Sequence, residues 1–162
     1  MNERMRDARM RNFTFLLREV SRRFVLRFEE HARAISLTLP QCKVLTRLEN
    51  NEGVSQARLA ELTEVDAMTM VRILDRMEAE GLLERRPDPA DRRARCLYLT
   101  AKAKPLLDEI WRLGELTRSE VFAGIRKPEL HAFMDVLERM DDNLNRLGGK
   151  DPTTLRKAGH GS

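Results

Sequence analysis

The chain has 162 residues, of which 41% are apolar and 35% charged, and a formal net charge of +4; its mean hydropathy is −0.52. That length suits one domain, or two small ones sharing helices. The apolar fraction is too high for a disordered chain, and no apolar run approaches the ~18 residues of a membrane span. The basic start (Arg4, Arg6, Arg9, Arg11) is not followed by the apolar stretch and small-residue cleavage site of an export signal, so a cytoplasmic protein is expected.

Aromatic residues are only 5% of the chain, with 8 glycines and 6 prolines, a balance that favours helices over strands. Cys42 and Cys96 lie far apart with no C-x-x-C spacing, which excludes a disulfide framework and a zinc knuckle. Both are expected to be reduced, and neither a metal nor a cofactor is expected.

In chain order, Phe13, Leu16, Leu17, Val20, Phe24 and Phe28 recur at helical spacing and predict a long amphipathic helix with Arg18, Arg22 and Arg23 on its other face. Thr38 and Gln41 have capping-box spacing, and Pro40 falls in the first turn of a second helix that runs to about Glu49. After the turn cluster at 50–53, Ser55 can N-cap a short helix containing Leu59, Ala60 and Leu62. Residues 63–66 break it, and another helix runs from Asp66 to Glu80 with Gly81 as its stop. Two short helices about a tight turn make a helix-turn-helix.

The second of these helices buries Met70, Ile73, Leu74 and Met77, while Thr69, Arg72 and Arg76 share nearly the opposite face. Such a face serves either as a solvated surface or as a partner for base edges and phosphates. The segment C-terminal to this helix favours the second use. Leu82-Leu83-Glu84-Arg85-Arg86 and Arg95-Cys96-Leu97-Tyr98-Leu99 read as two strands joined by an arginine-rich turn segment. From Leu82 to Pro105 there are seven basic and three acidic residues, and a hairpin placed directly after a helix-turn-helix is a wing. Arginine at its tip fits a narrow, negative minor groove. Beyond it, Thr100 can cap a helix ending near Gly124, and a last helix starts at Lys127-Pro128 and stops at Gly148-Gly149. Its Phe133, Leu137, Met140, Leu144 and Leu147 keep the coiled-coil interval.

The run from Leu82 through Pro87-Asp88-Pro89-Ala90-Asp91-Arg92-Arg93 to Leu97-Tyr98-Leu99-Thr100 resembles the wing signature of the multiple antibiotic resistance regulator (MarR) family of bacterial winged helix-turn-helix proteins. Leu37-Thr38-Leu39-Pro40-Gln41, Leu59-Ala60-Glu61-Leu62 and Val71-Arg72-Ile73-Leu74-Asp75-Arg76-Met77 support it, and the likeness covers about residues 13–147. It implies a mainly α fold with a small β-hairpin wing: residues 1–36 and 101–147 form a helical dimerisation domain, 37–100 a winged helix-turn-helix, and 148–162 a mobile tail.

The resemblance further implies a cytoplasmic homodimer without enzymatic activity that binds double-stranded operator DNA. This would be a repressor released by a small anionic aromatic compound. By position, Ser55, Gln56, Thr69, Arg72, Arg76, Arg85, Arg86, Arg93 and Arg95 would meet DNA, with Arg93 at the wing tip and Asp91 holding the loop arginines. The effector crevice would involve Arg18, Ser21, Arg22, Pro40, Cys42 and Trp111. Where the family usually has a bulky aromatic, this chain has Cys42, and Pro105 lies early in a helix that normally has a glycine near Ala103. Cys42 also opens a thiol-sensing alternative. An enzyme has little support, because His31, His131 and His160 lie on separate elements and no H-E-x-x-H, G-x-S-x-G or P-loop is present. A winged domain that docks only protein is disfavoured by its arginines.

Overall fold

The computed structural model describes residues 8–89, 91 and 94–148. After a single turn α1 (Ala8–Arg11), α2 runs Phe13–Ala32, one turn beyond the apolar pattern that predicts it. Then come α3 (Leu39–Glu49), α4 (Gln56–Thr63), α5 (Ala67–Ala79), strands β1 (Leu83–Pro87) and β2 (Arg95–Leu99), α6 (Lys104–Val121) and α7 (Lys127–Gly148). The protein is thus mainly helical with one antiparallel hairpin, in the register Leu83 to Leu99 and Pro87 to Arg95. Arg93 and the residues after 148 lie outside the described residues.

Local chemistry explains the boundaries. Thr38 Oγ1 accepts from the Gln41 backbone N–H (3.5 Å) and the Gln41 side chain accepts from the Thr38 backbone N–H (2.9 Å), closing the capping box of α3. Gly81, at φ +72°, ends α5 in the left-handed conformation. Thr100 departs from its expected role as a helix cap. Its hydroxyl donates to the Gly81 carbonyl (2.6 Å) and a 3₁₀ turn (Ala101–Ala103) precedes α6. Pro105 falls in the first turn of α6, where no backbone donor is needed, so its ring costs no helical hydrogen bond.

The core joins Val44, Leu45 and Leu48 of α3, Leu59 of α4, Met70, Leu74 and Met77 of α5, Leu83 and Leu97 of the hairpin, and Leu107 and Ile110 of α6. The hairpin has more support than two strands: the Gly53 N–H donates to the Leu97 carbonyl (2.8 Å), the Leu97 N–H to the Val54 carbonyl (3.0 Å), and Ser55 bridges Cys96. The segment entering α4 is therefore stitched to β2. Gly53 sits at φ +84°, and a Cβ there would lie 3.2 Å from the Tyr98 hydroxyl. Gly53→Ala is expected to lower stability by about 1–3 kcal/mol, read as a lower urea midpoint at unchanged m-value.

Helix α2 is fastened to α6 by Arg27, whose Nε and Nη2 donate to the two Glu120 oxygens (2.7 and 2.8 Å), with His31 Nε2 3.0 Å away. Arg27 first, then His31, holds the Glu120 carboxyl down to about 2. The tie is complete above the ordinary carboxylate range and is lost only as pH falls toward that value. Helix α7 differs from the rest: it barely touches its own chain, and none of its side chains through Leu147 is buried. No helix of the described residues is long and apolar enough to cross a membrane.

Candidate nucleic-acid interface

The geometry begins with two caps. Ser55 Oγ accepts from the Arg58 backbone N–H (3.2 Å) at the start of α4, leaving Ser55 exposed and Gln56 half-buried. The chain turns through Glu64 in the left-handed conformation (φ 54°) and restarts at Asp66, whose Oδ1 accepts from the Thr69 N–H (2.9 Å). That hydrogen bonding holds the Asp66 carboxyl below its ordinary range.

Beyond this turn, α5 hides Met70, Leu74 and Met77 completely and presents Met68, Val71, Arg72, Asp75 and Arg76 to solvent. Thr69, expected on the outward face, lies half-buried at its edge. Met68 and Val71 are not singled out by the sequence pattern; at 3.6 residues per turn Met68 falls on the face opposite Met70 and Met77, whereas Val71 falls on the flank, about 100–120° from both.

The arginines divide by partner. Arg76 Nε meets Glu80 Oε1 at 2.9 Å. Arg85, expected near the DNA backbone, commits its two terminal nitrogens to α5: Nη2 donates to Asp75 (2.7 Å) and Nη1 to Glu78. Arg86 Nε donates to Glu84 (2.8 Å), and the guanidinium lies 4.4 Å over the Tyr98 ring. Arg72 and Arg95 have no side-chain hydrogen bond or ion pair among the described residues. The hairpin loop is closed by the Asp88 N–H to the Ala94 carbonyl (3.1 Å) and the Ala94 N–H to the exposed Asp91's carbonyl (2.9 Å).

A second feature lies between α2, α3 and α6: a cleft of about 200 Å³ lined by Phe24, Phe28, Leu39, Cys42, Lys43, Thr46, Ile110, Trp111, Gly114 and Arg118. Cys42 and Trp111 were expected there, whereas Arg18, Ser21, Arg22 and Pro40 do not line it. Arg18, Ser21 and Arg22 are exposed, Arg22 pairs with Glu19, and Pro40 is half-buried in the first turn of α3. The cleft runs along the apolar face of α2, so its cations come from α3 and α6. Trp111 Nε1 donates to Glu49 Oε2 (2.9 Å), tying α6 to α3.

Neither cysteine is poised for oxidation. Cys42 is 2% exposed, and burial pushes its thiol up to about 11. Burial, and then the Asp88 carboxylate, also raises the Cys96 thiol, whose Sγ donates to Asp88 (3.5 Å). In a Cys96→Ser background, Cys42 is expected to react with a thiol reagent near pH 8 at least about tenfold more slowly folded than in urea.

A helix-turn-helix followed by a stitched hairpin defines a winged helix-turn-helix protein with an accompanying helical domain. A profile of the MarR family matches residues 37–94. The transcriptional regulator PA3341 is 30% identical over 83% of this chain and 98% of its own, with TM-score 0.72. A MarR-family regulator from Silicibacter pomeroyi is 25% identical over 81% and 88%, with TM-score 0.69. BpsR of Bordetella bronchiseptica, whose DNA binding is regulated by 6-hydroxynicotinic acid, is 29% identical over 80% and 92%, with TM-score 0.67. The chain belongs to the MarR family of transcriptional regulators.

Proposed function

We propose that this regulator is a homodimeric repressor that binds a pseudo-palindromic operator in double-stranded DNA and is released by a small anionic aromatic compound, phenolic or aryl carboxylate. The observation that carries the reading is the outward face of α5, where Arg72 is exposed with no partner among the described residues and lies one turn before Asp75, the residue that Arg85 of the hairpin reaches. In a two-fold dimer the two α5 helices enter successive major grooves ~34 Å apart. Arg72, Arg76 and Thr69 then face base edges and phosphates, and Ser55 and Gln56 meet a phosphate at the start of α4. Arg93 enters the minor groove, and Arg95 lies along the backbone. Arg85 and Arg86 reach phosphate only by leaving their carboxylates, and Asp91 is a scaffold of the wing loop.

Residues 1–36 and 101–147 serve dimerisation in this reading, and 37–100 serve DNA. The unpartnered apolar residues of α7 support the first assignment. The cleft supports ligand control because it is shared by α2 and α6 on the dimer side and α3 on the DNA side. Phe24, Phe28 and Trp111 suit an aromatic ring, and Lys43 and Arg118 suit its carboxylate. A compound acts only if it prefers one separation of the two α5 helices over the other. The buried Cys42 thiol gives the redox alternative no support.

The test is an electrophoretic mobility assay on duplexes from the gene's own neighbourhood, with and without a panel of phenolic and aryl carboxylates. Selective binding that a member of the panel releases is the expected result. Absence of selective binding overturns the regulator mechanism, and release by peroxide alone overturns the ligand reading in favour of the thiol.

A further inference from the structure

The helical half of the molecule exposes many apolar side chains, but the winged half keeps almost all of its own covered. Between residues 37 and 100 the large hydrophobic residues left open, among those described, are Met68 at 70% and Val71 at 39%. They stand three residues apart on α5, with Arg72 directly after Val71, so all three fall within about one helical turn.

Their position along α5 is also distinctive. The C-terminal half of the helix is wrapped in ion pairs within the chain: Arg76 with Glu80, and Asp75 and Glu78 with Arg85. The N-terminal half carries no such pairs among the described residues, and it is the end of a recognition helix that reaches base edges. An open apolar pair at that end has one natural occupant in a major groove, the C5-methyl of thymine, which is the apolar group the groove displays.

Resting on the DNA-binding reading above, we infer that Met68 and Val71 are specificity-determining residues that read thymine methyl groups in the operator. Cβ atoms about 5–6 Å apart on the helix, set against a base rise of about 3.4 Å, place that thymine within two base pairs of the base read by Arg72.

The experiment starts from a randomised duplex library selected with the wild-type protein. The selected site is resynthesised with deoxyuridine replacing thymidine at one position at a time, which removes the methyl and leaves the pairing edge intact. At one or two thymines per half-site, the exchange should weaken wild-type binding about fourfold, the equivalent of one buried methyl group. Met68→Ala or Val71→Ala should bind the thymidine and deoxyuridine duplexes equally at the affected position. Both side chains are exposed, so these variants should melt as the wild type does. A wild type indifferent to every exchange, or alanine variants that keep the full deoxyuridine penalty, overturns the inference while leaving DNA binding intact. Failure to select any site overturns the DNA-binding reading and the inference together.

Discussion

Leu144→Asp is expected to yield a monomer whose helices are intact. Leu144 is 65% exposed within its own chain, so a carboxylate there meets water if the protein works alone and costs the fold nothing. The situation reverses if the seam of Phe133, Leu137, Met140, Leu144 and Leu147 lies against a second copy. A two-fold interface would then bury two unpaired carboxylates, each at a cost of several kcal/mol. Sedimentation should report half the wild-type mass at unchanged far-ultraviolet circular dichroism. Operator affinity should fall by on the order of a hundredfold or more, because each monomer reaches one half-site without the effective concentration that its partner supplies. A variant that sediments as the wild type does would remove α7 from the dimer.

Arg72→Ala should weaken binding to the selected operator by about 1–3 kcal/mol, the worth of one bidentate guanidinium-to-guanine contact, and relax selection at that base pair. The figure applies to Arg72 because its guanidinium has no carboxylate to leave among the described residues. Arg76, held by Glu80, should show a smaller loss. Competition assays with single-base operator variants distinguish the two roles: uniform weakening on every duplex would make Arg72 a phosphate contact.

Much of this architecture is legible in the sequence because its signals are short-range. Thr38 with Gln41, Ser55 with Arg58 and Asp66 with Thr69 are contacts three residues apart, and the apolar spacing of α5 names the side it buries. What is illegible depends on how distant segments meet. Arg85 pairs with Asp75 ten residues earlier only because the hairpin register brings β1 beside α5. The bridge just before α4 forms because Leu97 arrives from more than forty residues downstream. The chemistry of a carboxylate points to Arg18 and Arg22, yet Phe24 and Phe28 on the other side of α2 line the cleft. The openness of Met68 is readable from helical angle alone, whereas Val71 lies on the flank of the buried stripe and its openness depends on how the neighbouring elements pack.

The ion pairs of the winged half have a consequence for ionic strength. Neutralising a phosphate of duplex DNA frees a condensed counterion, and binding weakens with salt by a log–log slope of about −0.9 for each one. An arginine that must first abandon a carboxylate leaves a bare negative charge, which takes a cation back from solution. Arg76, Arg85 and Arg86 are all in that position, whereas Arg72 and Arg95 are not. On the DNA-binding reading, the affinity of this regulator for its operator therefore varies less with salt than its arginine content suggests, and the measured slope counts the guanidinium groups that were free before the encounter.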